Sequence, residues 1–288
     1  MRTVTPETLA DLLLSLSGPD TNPRVQEVLS ALVRHLHGFA QEVGLTHDEW
    51  RKGLELLTRA GEISNAERNE FVLISDVLGL SSLVDMINSP KNCTNSSVLG
   101  PFHIVGAPPL PVGGDVIGDN TGPQVVCLHE EQQDPGPPID GAVIEMWQTA
   151  DNGLYSGQDT TQTDYNLRMS MTTGKDGRYA VSTVRPAPYL VPTNGPVGDL
   201  LNATGRHAWR PSHLHFIVQA PGMRTLVTEV FPSDDPYLDQ DAVFGVRSDL
   251  VMEYTPGNRT ALAPDIVARD RLADEFSAVD FDFVLSRA

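Results

Sequence analysis

Residues 210–219 read "RPSHLHFIVQ". Leu214, Phe216 and Val218 alternate with other side chains after a proline of the kind that sits at a strand edge. Successive side chains of a strand point to opposite faces, so residues i and i+2 share one. Leu214 and Phe216 are therefore expected to enter a core. His213 and His215 point together to the other face. Two imidazoles converging from one strand face form a metal-chelate geometry. Two half-exposed histidines with separate hydrogen bonds would read the same way, and the pair by itself leaves both open.

Around this stretch the chain is rich in short strands and turns. "VVCLH" (125–129), "AVIEMWQ" (142–148), "YAVSTV" (179–184), "LHFIVQ" (214–219), "TLVTEVF" (225–231) and "FDFVL" (281–285) are brief apolar runs separated by Gly- and Pro-rich segments. Many short strands with turn signals predict a β-sandwich. Two long connections, 149–178 and 185–212, lie between strands, and loops of that length in a compact domain usually carry function. There is no internal repeat and no low-complexity tract.

The first ninety or so residues have another texture. Thr5-Pro6 is a helix start and Gly18-Pro19 a stop. Val25, Val28, Leu29, Leu32, Val33, Leu36, Phe39 and Val43 fall at helical spacing. "THDE" (46–49) and "SNAE" (64–67) fit the capping-box pattern, the second ahead of the apolar segment "FVLISDVLGLSSLVDMI". The expected class is α+β: a helical N-terminal segment, 1–92, and a mainly-β sandwich domain, 93–288. So much apolar helical surface needs a partner: the next domain, a second chain or a lipid.

The 288 residues suffice for one large domain or two smaller ones. A net charge of −18 argues against nucleic acid and anionic membranes as partners. Two cysteines, Cys93 and Cys127, make neither a disulfide framework nor a CxxC zinc site. No signal-like N-terminus and no run of about 18 apolar residues is found, so a cytoplasmic location is the default.

The long connections supply two of the six tyrosines: Tyr155 in "ADNGLYSGQD" and Tyr189 in "VRPAPYLVPTNGP". Singly, a loop tyrosine reads as a lid over the core. With "RPSHLHF", "VLGPFH" (98–103), "IDGAVIEMWQTADNGLYSGQD", "GRYAVSTVRPAPY" and "YLDQDAVFGVRSDLV", the chain resembles the intradiol ring-cleavage dioxygenases, the catechol and hydroxyquinol 1,2-dioxygenases. The resemblance covers nearly the whole chain. It implies one mononuclear non-haem Fe(III) held by Tyr155, Tyr189, His213 and His215, with Tyr189 and His215 axial. It implies that Tyr189 also accepts a substrate proton and that Arg210 stabilises negative charge developing on the ring. Two phenolates and a hydroxide balance a trivalent ion, and hard oxygen ligands favour the ferric state. An aromatic ortho-diol and O2 would be the substrates and a cis,cis-muconate-type diacid the product.

By the same resemblance the substrate pocket is built from Leu73 and Asp76, from Val98, Leu99, Gly100, Pro101 and Phe102, and from Ala242 and Val243. Asp76 sits within an apolar helix, where a carboxylate must be solvated or paired. Facing the pocket, it would accept a hydrogen bond from a third ring hydroxyl, which favours hydroxyquinol over catechol. The family further suggests a homodimer through the helical segment, with a phospholipid or fatty acid in an apolar groove. Two other classes remain: a non-catalytic β-sandwich binding module and a cupin-type metal site. The module gives no reason for two loop tyrosines beside His-x-His. The cupin needs a further histidine downstream, and none follows His215. Glu229 is left unassigned between the site's surroundings and solvent. The segment "HEEQQDPGPPIDG" (129–141) is more acidic than the family pattern leads one to expect.

Overall fold

The computed structural model describes residues 4–65, 68–129, 136–260, 262 and 272–288. Two compact units form, Met1–Thr58 and Arg59–Ala288. The second unit begins at Arg59, ahead of the change in composition near residue 92.

The first unit holds α1 (Leu9–Leu14), α2 (Pro23–Glu42) and most of α3 (His47–Ile63). Asn22 caps α2 by accepting from the amides of Arg24 and Val25, and Pro23 occupies the first turn, where its missing N–H costs nothing. The expected box at Thr46 is present: its amide donates to Glu49 Oε2 at 2.9 Å, and the Glu49 amide donates to Thr46 Oγ1 at 3.3 Å. The apolar stripe of α2 stays open, with Val33 its one buried residue. The second box, at 64–67, includes residues 66 and 67, outside the described residues.

In the second unit, "FVLISDVLGLSSLVDMI" forms two helices, α4 (Glu70–Val77) and α5 (Leu80–Asn88). The break falls at Gly79, whose φ of +73° is left-handed. Both helices are fastened to the β domain. Glu70, fully buried, takes two hydrogen bonds from Arg68 and one from the Val197 amide, at the start of α6 (Pro196–Ala203). Ser82 Oγ donates to the Phe244 carbonyl at 2.7 Å.

The strands are β1 (Gly114–Asp115), β2 (Gln124–His129), β3 (Val143–Trp147), β4 (Arg168–Thr172), β5 (Tyr179–Val184), β6 (Tyr189–Leu190), β7 (Trp209–Arg210), β8 (Leu214–Gln219), β9 (Leu226–Pro232), β10 (Val251–Met252), β11 (Thr255–Pro256) and β12 (Phe276–Asp280). They build one sheet in the order β1-β5-β2-β12-β11, another in the order β10-β9-β8-β3-β4, and a separate β6-β7 ribbon. The sandwich core lies between the large sheets, where Val125, Cys127 and Val181 meet Ile144, Met146, Leu214 and Phe216.

Three segments differ from the sequence reading. The last strand is 276–280, because its ladder with β2 ends at Asp280 opposite Leu128. Residues 281–285 run past that ladder, and Phe281 and Phe283 pack ring against ring. The 149–178 connection contains β4, whose "RMSMT" lacks β-branched residues except at its end and takes its structure from pairing with β3. The 185–212 connection contains β6, α6 and β7.

The outer face of the second sheet carries the site. Residues directly opposite in an antiparallel ladder share a face. Arg168, Trp147, His215 and Glu229 are in register across β4, β3, β8 and β9. This row lies beneath a second apolar cluster that includes Leu73 and Val77 of α4, Val197 and Leu201 of α6, and both Tyr155 and Tyr189.

Candidate metal centre

His213 and His215 do share a face, and both are buried. Their surroundings fix which ring nitrogen is free. His213 Nδ1 donates to the Pro211 carbonyl at 2.8 Å, which turns Nε2 inward as a lone-pair donor. Just before it, Ser212 gives both its amide and its hydroxyl to Asp235 Oδ2, at 2.9 and 2.8 Å, fixing the bend between β7 and β8. The Nε2 atoms of His213 and His215 stand 3.0 Å apart. The His215 ring is stacked on Trp147, with centroids 4.6 Å apart and planes within 6°. Behind it, His215 Nδ1 faces Glu229 Oε1 at 3.4 Å. A carboxylate behind a ligating imidazole sets its orientation and raises its basicity.

The two tyrosines arrive from separate loops. Tyr155 follows a tight turn at Gly153, whose φ is +75° and where a Cβ would lie 3.3 Å from the Pro188 carbonyl. The loop bearing Tyr155 thus passes close against the segment bearing Tyr189. Tyr155 Oη lies 3.3 Å from His213 Nε2, and its ring stacks on Phe102 with centroids 4.7 Å apart. Tyr189 pairs directly with Arg210 in the β6-β7 ribbon. Arg210 Nη1 donates to Tyr189 Oη at 3.4 Å. All four expected ligands therefore converge, each buried.

Arg210 is buried and held by two carboxylates. Asp241 takes Nε and Nη2 at 3.0 and 3.2 Å; Glu229 takes Nη1 and Nη2 at 2.8 and 3.1 Å. Burial opposes the guanidinium charge, but Asp241 and Glu229 outweigh it and hold the group well above its usual range. Glu229 also pays for burial, offset by Arg210, His213 and the Ser97 hydroxyl, and ends below the usual carboxylate range. Glu229 is thus wholly enclosed within the site rather than facing solvent.

The protonation states suit a metal. Burial, then the Arg210 charge, depresses His213 to about 4. His215 is depressed well below its ordinary value, through burial, then the His213 and Arg210 charges. Both imidazoles are neutral at pH 7 with lone pairs available. Burial raises both Tyr155 and Tyr189. In the protein alone they are neutral phenols, and a strongly charged cation is what converts them to phenolates. Two phenols and two imidazoles around one point fit a hard, highly charged metal ion better than zinc. A second grouping, His129, Asp280 and Asp282, is open to solvent, with Asp280 largely exposed.

The expected pocket residues divide. Leu73, Val98, Phe102 and Val243 belong to the apolar cluster that holds both tyrosines, and Asp76 and Ala242 are buried. Gly100, at φ +67°, brings its backbone close to His215, so that a Cβ there would lie 3.7 Å from the ring. Pro101 is half-buried, and Leu99 is 43% exposed. Three participants escaped the sequence reading: Asp241, Trp147 and Arg168. Trp147 and Arg168 were legible in principle from cross-strand register with His215. Asp241 lies in an acidic segment that marks no single residue.

The C-terminal part of the chain, residues 114–287, matches the family model described as dioxygenase, and residues 22–95 match the catechol dioxygenase N terminus. A hydroxyquinol 1,2-dioxygenase of Rhizobium sp. is 42% identical, over 92% of this chain and 90% of that protein. A 6-chlorohydroxyquinol 1,2-dioxygenase of Cupriavidus pinatubonensis is 43% identical, over 92% and 91%. The crystal structure of hydroxyquinol 1,2-dioxygenase from Pseudomonas putida superposes with a TM-score of 0.85 at 41% identity, covering 98% of this chain and 99% of that one. A strand carrying His-x-His, two loop tyrosines brought against it and these relatives agree: the chain belongs to the intradiol ring-cleavage dioxygenases.

Proposed function

We propose that this enzyme cleaves hydroxyquinol between its two adjacent hydroxylated carbons, using O2 and one Fe(III) held by Tyr155, Tyr189, His213 and His215. The observation that carries the substrate reading is Asp76. It is 2% exposed, on a helix whose buried neighbours Leu73 and Val77 pack with the tyrosines. Burial raises its carboxyl, opposed by Ser81 and by the Arg210 charge, so it lies within the electrostatic reach of the site. Ser81 already bonds this carboxyl, and a third ring hydroxyl brought to it would add a donor that plain catechol lacks.

When bound, the ferric ion supplies Lewis acidity and a template for the diol. The protein's own groups do the rest. Tyr189 Oη receives one substrate proton, and its pairing with Arg210 on the ribbon places a fixed positive charge beside it. Arg210, braced by Asp241 and Glu229, stabilises negative charge on the ring without needing to reorient. Leu73, Val98, Phe102 and Val243 keep water from the ring.

Oxygen uptake by the iron-loaded protein tests the substrate. Hydroxyquinol is expected to be turned over with a higher kcat/KM than catechol, and Asp76→Ala is expected to erase that preference. A variant that retains it would remove the argument from Asp76, and a parent enzyme preferring catechol would make cis,cis-muconate the product.

The exposed stripe of α2, with Val25, Leu29, Leu32, Leu36 and Phe39 all more than 40% exposed, supports a homodimer through the helical segment, with an apolar ligand such as a phospholipid or fatty acid in a groove. Light scattering that gives a monomer would reject the dimer. No helix among the described residues is long and apolar enough to cross a membrane, which fits a cytoplasmic enzyme.

A further inference from the structure

Arg168 is a second buried cation at the site, and nothing in the described residues pairs its charge. It opens β4 and is 4% exposed. Its Nε donates to Ser156 Oγ at 2.8 Å, and its Nη2 is buried without a hydrogen-bond partner. No carboxylate among the described residues forms an ion pair with it. Arg210, by contrast, has two. What the Arg168 guanidinium does face is the Tyr155 ring, with its central carbon 5.9 Å from the ring centroid.

Two further facts bear on this placement. Tyr165 and Leu167, just ahead of Arg168, adopt φ of +57° and +56°, a left-handed conformation that bulky residues rarely take. Arg168 also begins the in-register row Arg168–Trp147–His215–Glu229, so its side chain projects to the face that carries the histidines. A cation stands at one end of that row and a carboxylate at the other. A buried guanidinium without an anion is expensive, and such groups persist where an anion completes them. The candidate anion here is the Tyr155 phenolate, which forms only when Tyr155 is a metal ligand.

We propose that Arg168 is a positioning residue that provides the counter-charge for the Tyr155 phenolate and thereby sets how strongly that ligand donates to the metal. The proposal rests on the reading of Tyr155 as a ferric ligand. A nearby fixed positive charge lowers the energy of the phenolate electrons. It raises the energy of the tyrosinate-to-iron charge-transfer transition and tempers that ligand's hold on the metal. The Ser156 hydrogen bond fixes the guanidinium to the loop that bears Tyr155, so ligand and counter-charge move together.

The experiment compares the full-length protein with Arg168→Met and Arg168→Lys, each loaded with Fe(III). Visible absorption and loss of iron to a chelator are the readouts, and near-UV circular dichroism checks the fold. The parent is expected to show a broad visible band. Arg168→Met is expected to move that band to longer wavelength and to slow the loss of iron to the chelator, since the phenolate then donates more strongly and a charge that repels the metal is gone. Arg168→Lys, which keeps the charge, is expected to restore most of both. A folded Arg168→Met protein with the parent's band position and iron retention would overturn the proposal. Met and Lys variants altered equally would overturn it too, since packing rather than charge would then be at work. If Arg168→Met does not fold, Arg168→Gln, which keeps a donor for Ser156, is expected to show the same red shift, and an unchanged band refutes the role. A parent that binds iron with no visible band would instead reject tyrosinate ligation itself.

Discussion

Asp241→Asn isolates the brace on Arg210. Asp241 accepts four hydrogen bonds. Oδ1 takes Arg210 Nε at 3.0 Å and the Val243 amide at 3.2 Å; Oδ2 takes Arg210 Nη2 at 3.2 Å and the Gly245 amide at 2.8 Å. All four partners are donors. An asparagine keeps the shape but presents an NH2 to one pair, so whichever way it turns, two of the four contacts become donor against donor. One of the two lost contacts is always to the guanidinium. A hydrogen bond to a charged group is worth about 1.5–3 kcal/mol and a neutral one about 1 kcal/mol. The loss is therefore about 3 kcal/mol, at the low end of the range for stripping a buried ion of its partner, because Glu229 stays. In a unit of this size that lowers the melting midpoint by about 6–12 °C. The same substitution loosens the stretch bearing Ala242 and Val243 and releases one edge of Arg210. A misplaced charge at the reacting ring is expected to cost on the order of 10²-fold in kcat/KM. Melting of the metal-free protein and oxygen uptake of the iron-loaded one measure the two effects. A variant within about 1 kcal/mol of the parent, with undiminished kcat/KM, would refute the brace.

Tyr189→Phe keeps the ring packing but removes the proton-accepting oxygen. Turnover is expected to fall by about 10²-fold or more, and undiminished steady-state turnover would remove Tyr189 from that role. Glu70→Gln cannot serve both Arg68 and the Val197 amide as the carboxylate does, and it leaves Arg68 without its buried partner. Denaturant unfolding is expected to show a loss of roughly 3 kcal/mol, with α4 and its Asp76 released from α6. Asp85 is pushed up by burial, from the ordinary 3.8 to about 6, opposed by Arg247. Its folded form holds the proton more tightly than the unfolded chain. Its contribution to stability is therefore full near pH 4 and is lost as pH rises through about 6. Asp85→Asn is expected to match the parent near pH 4 and to exceed it at pH 7 by about 1 kcal/mol, the full shift being reduced by the solvent that reaches this half-buried group, read from melts across that range.

How far the sequence reaches depends on whether a feature is local. The alternation in "LHFIVQ" fixes which side chains of β8 face the core, and so places both histidines together without any tertiary knowledge. The capping box at Thr46 is equally local, as is the pairing of period-two runs with strands. The element bounds that failed depend on partners. Residues 281–285 have the better strand pattern, yet 276–280 make the strand, because that is where β2 offers a ladder. "RMSMT" has a weak pattern and is a strand because β3 lies beside it.

The site divides along the same line. The four residues proposed as ligands stand out in the sequence because their types and order are themselves distinctive. Their electrostatic surroundings were not. Glu229, Asp241 and Arg168 are three charged residues among many in an acidic chain, and nothing in their local sequence separates them from solvated ones. What distinguishes them is cross-strand register and burial: Glu229 and Arg168 lie in one row with His215, and Asp241 closes on Arg210 from a loop 31 residues away. Sequence by itself determines periodicity, caps and the donor chemistry of a motif, since these depend on neighbours along the chain. Only the tertiary structure decides which charges lose their water and which partners they then find, since desolvation and pairing depend on neighbours in space.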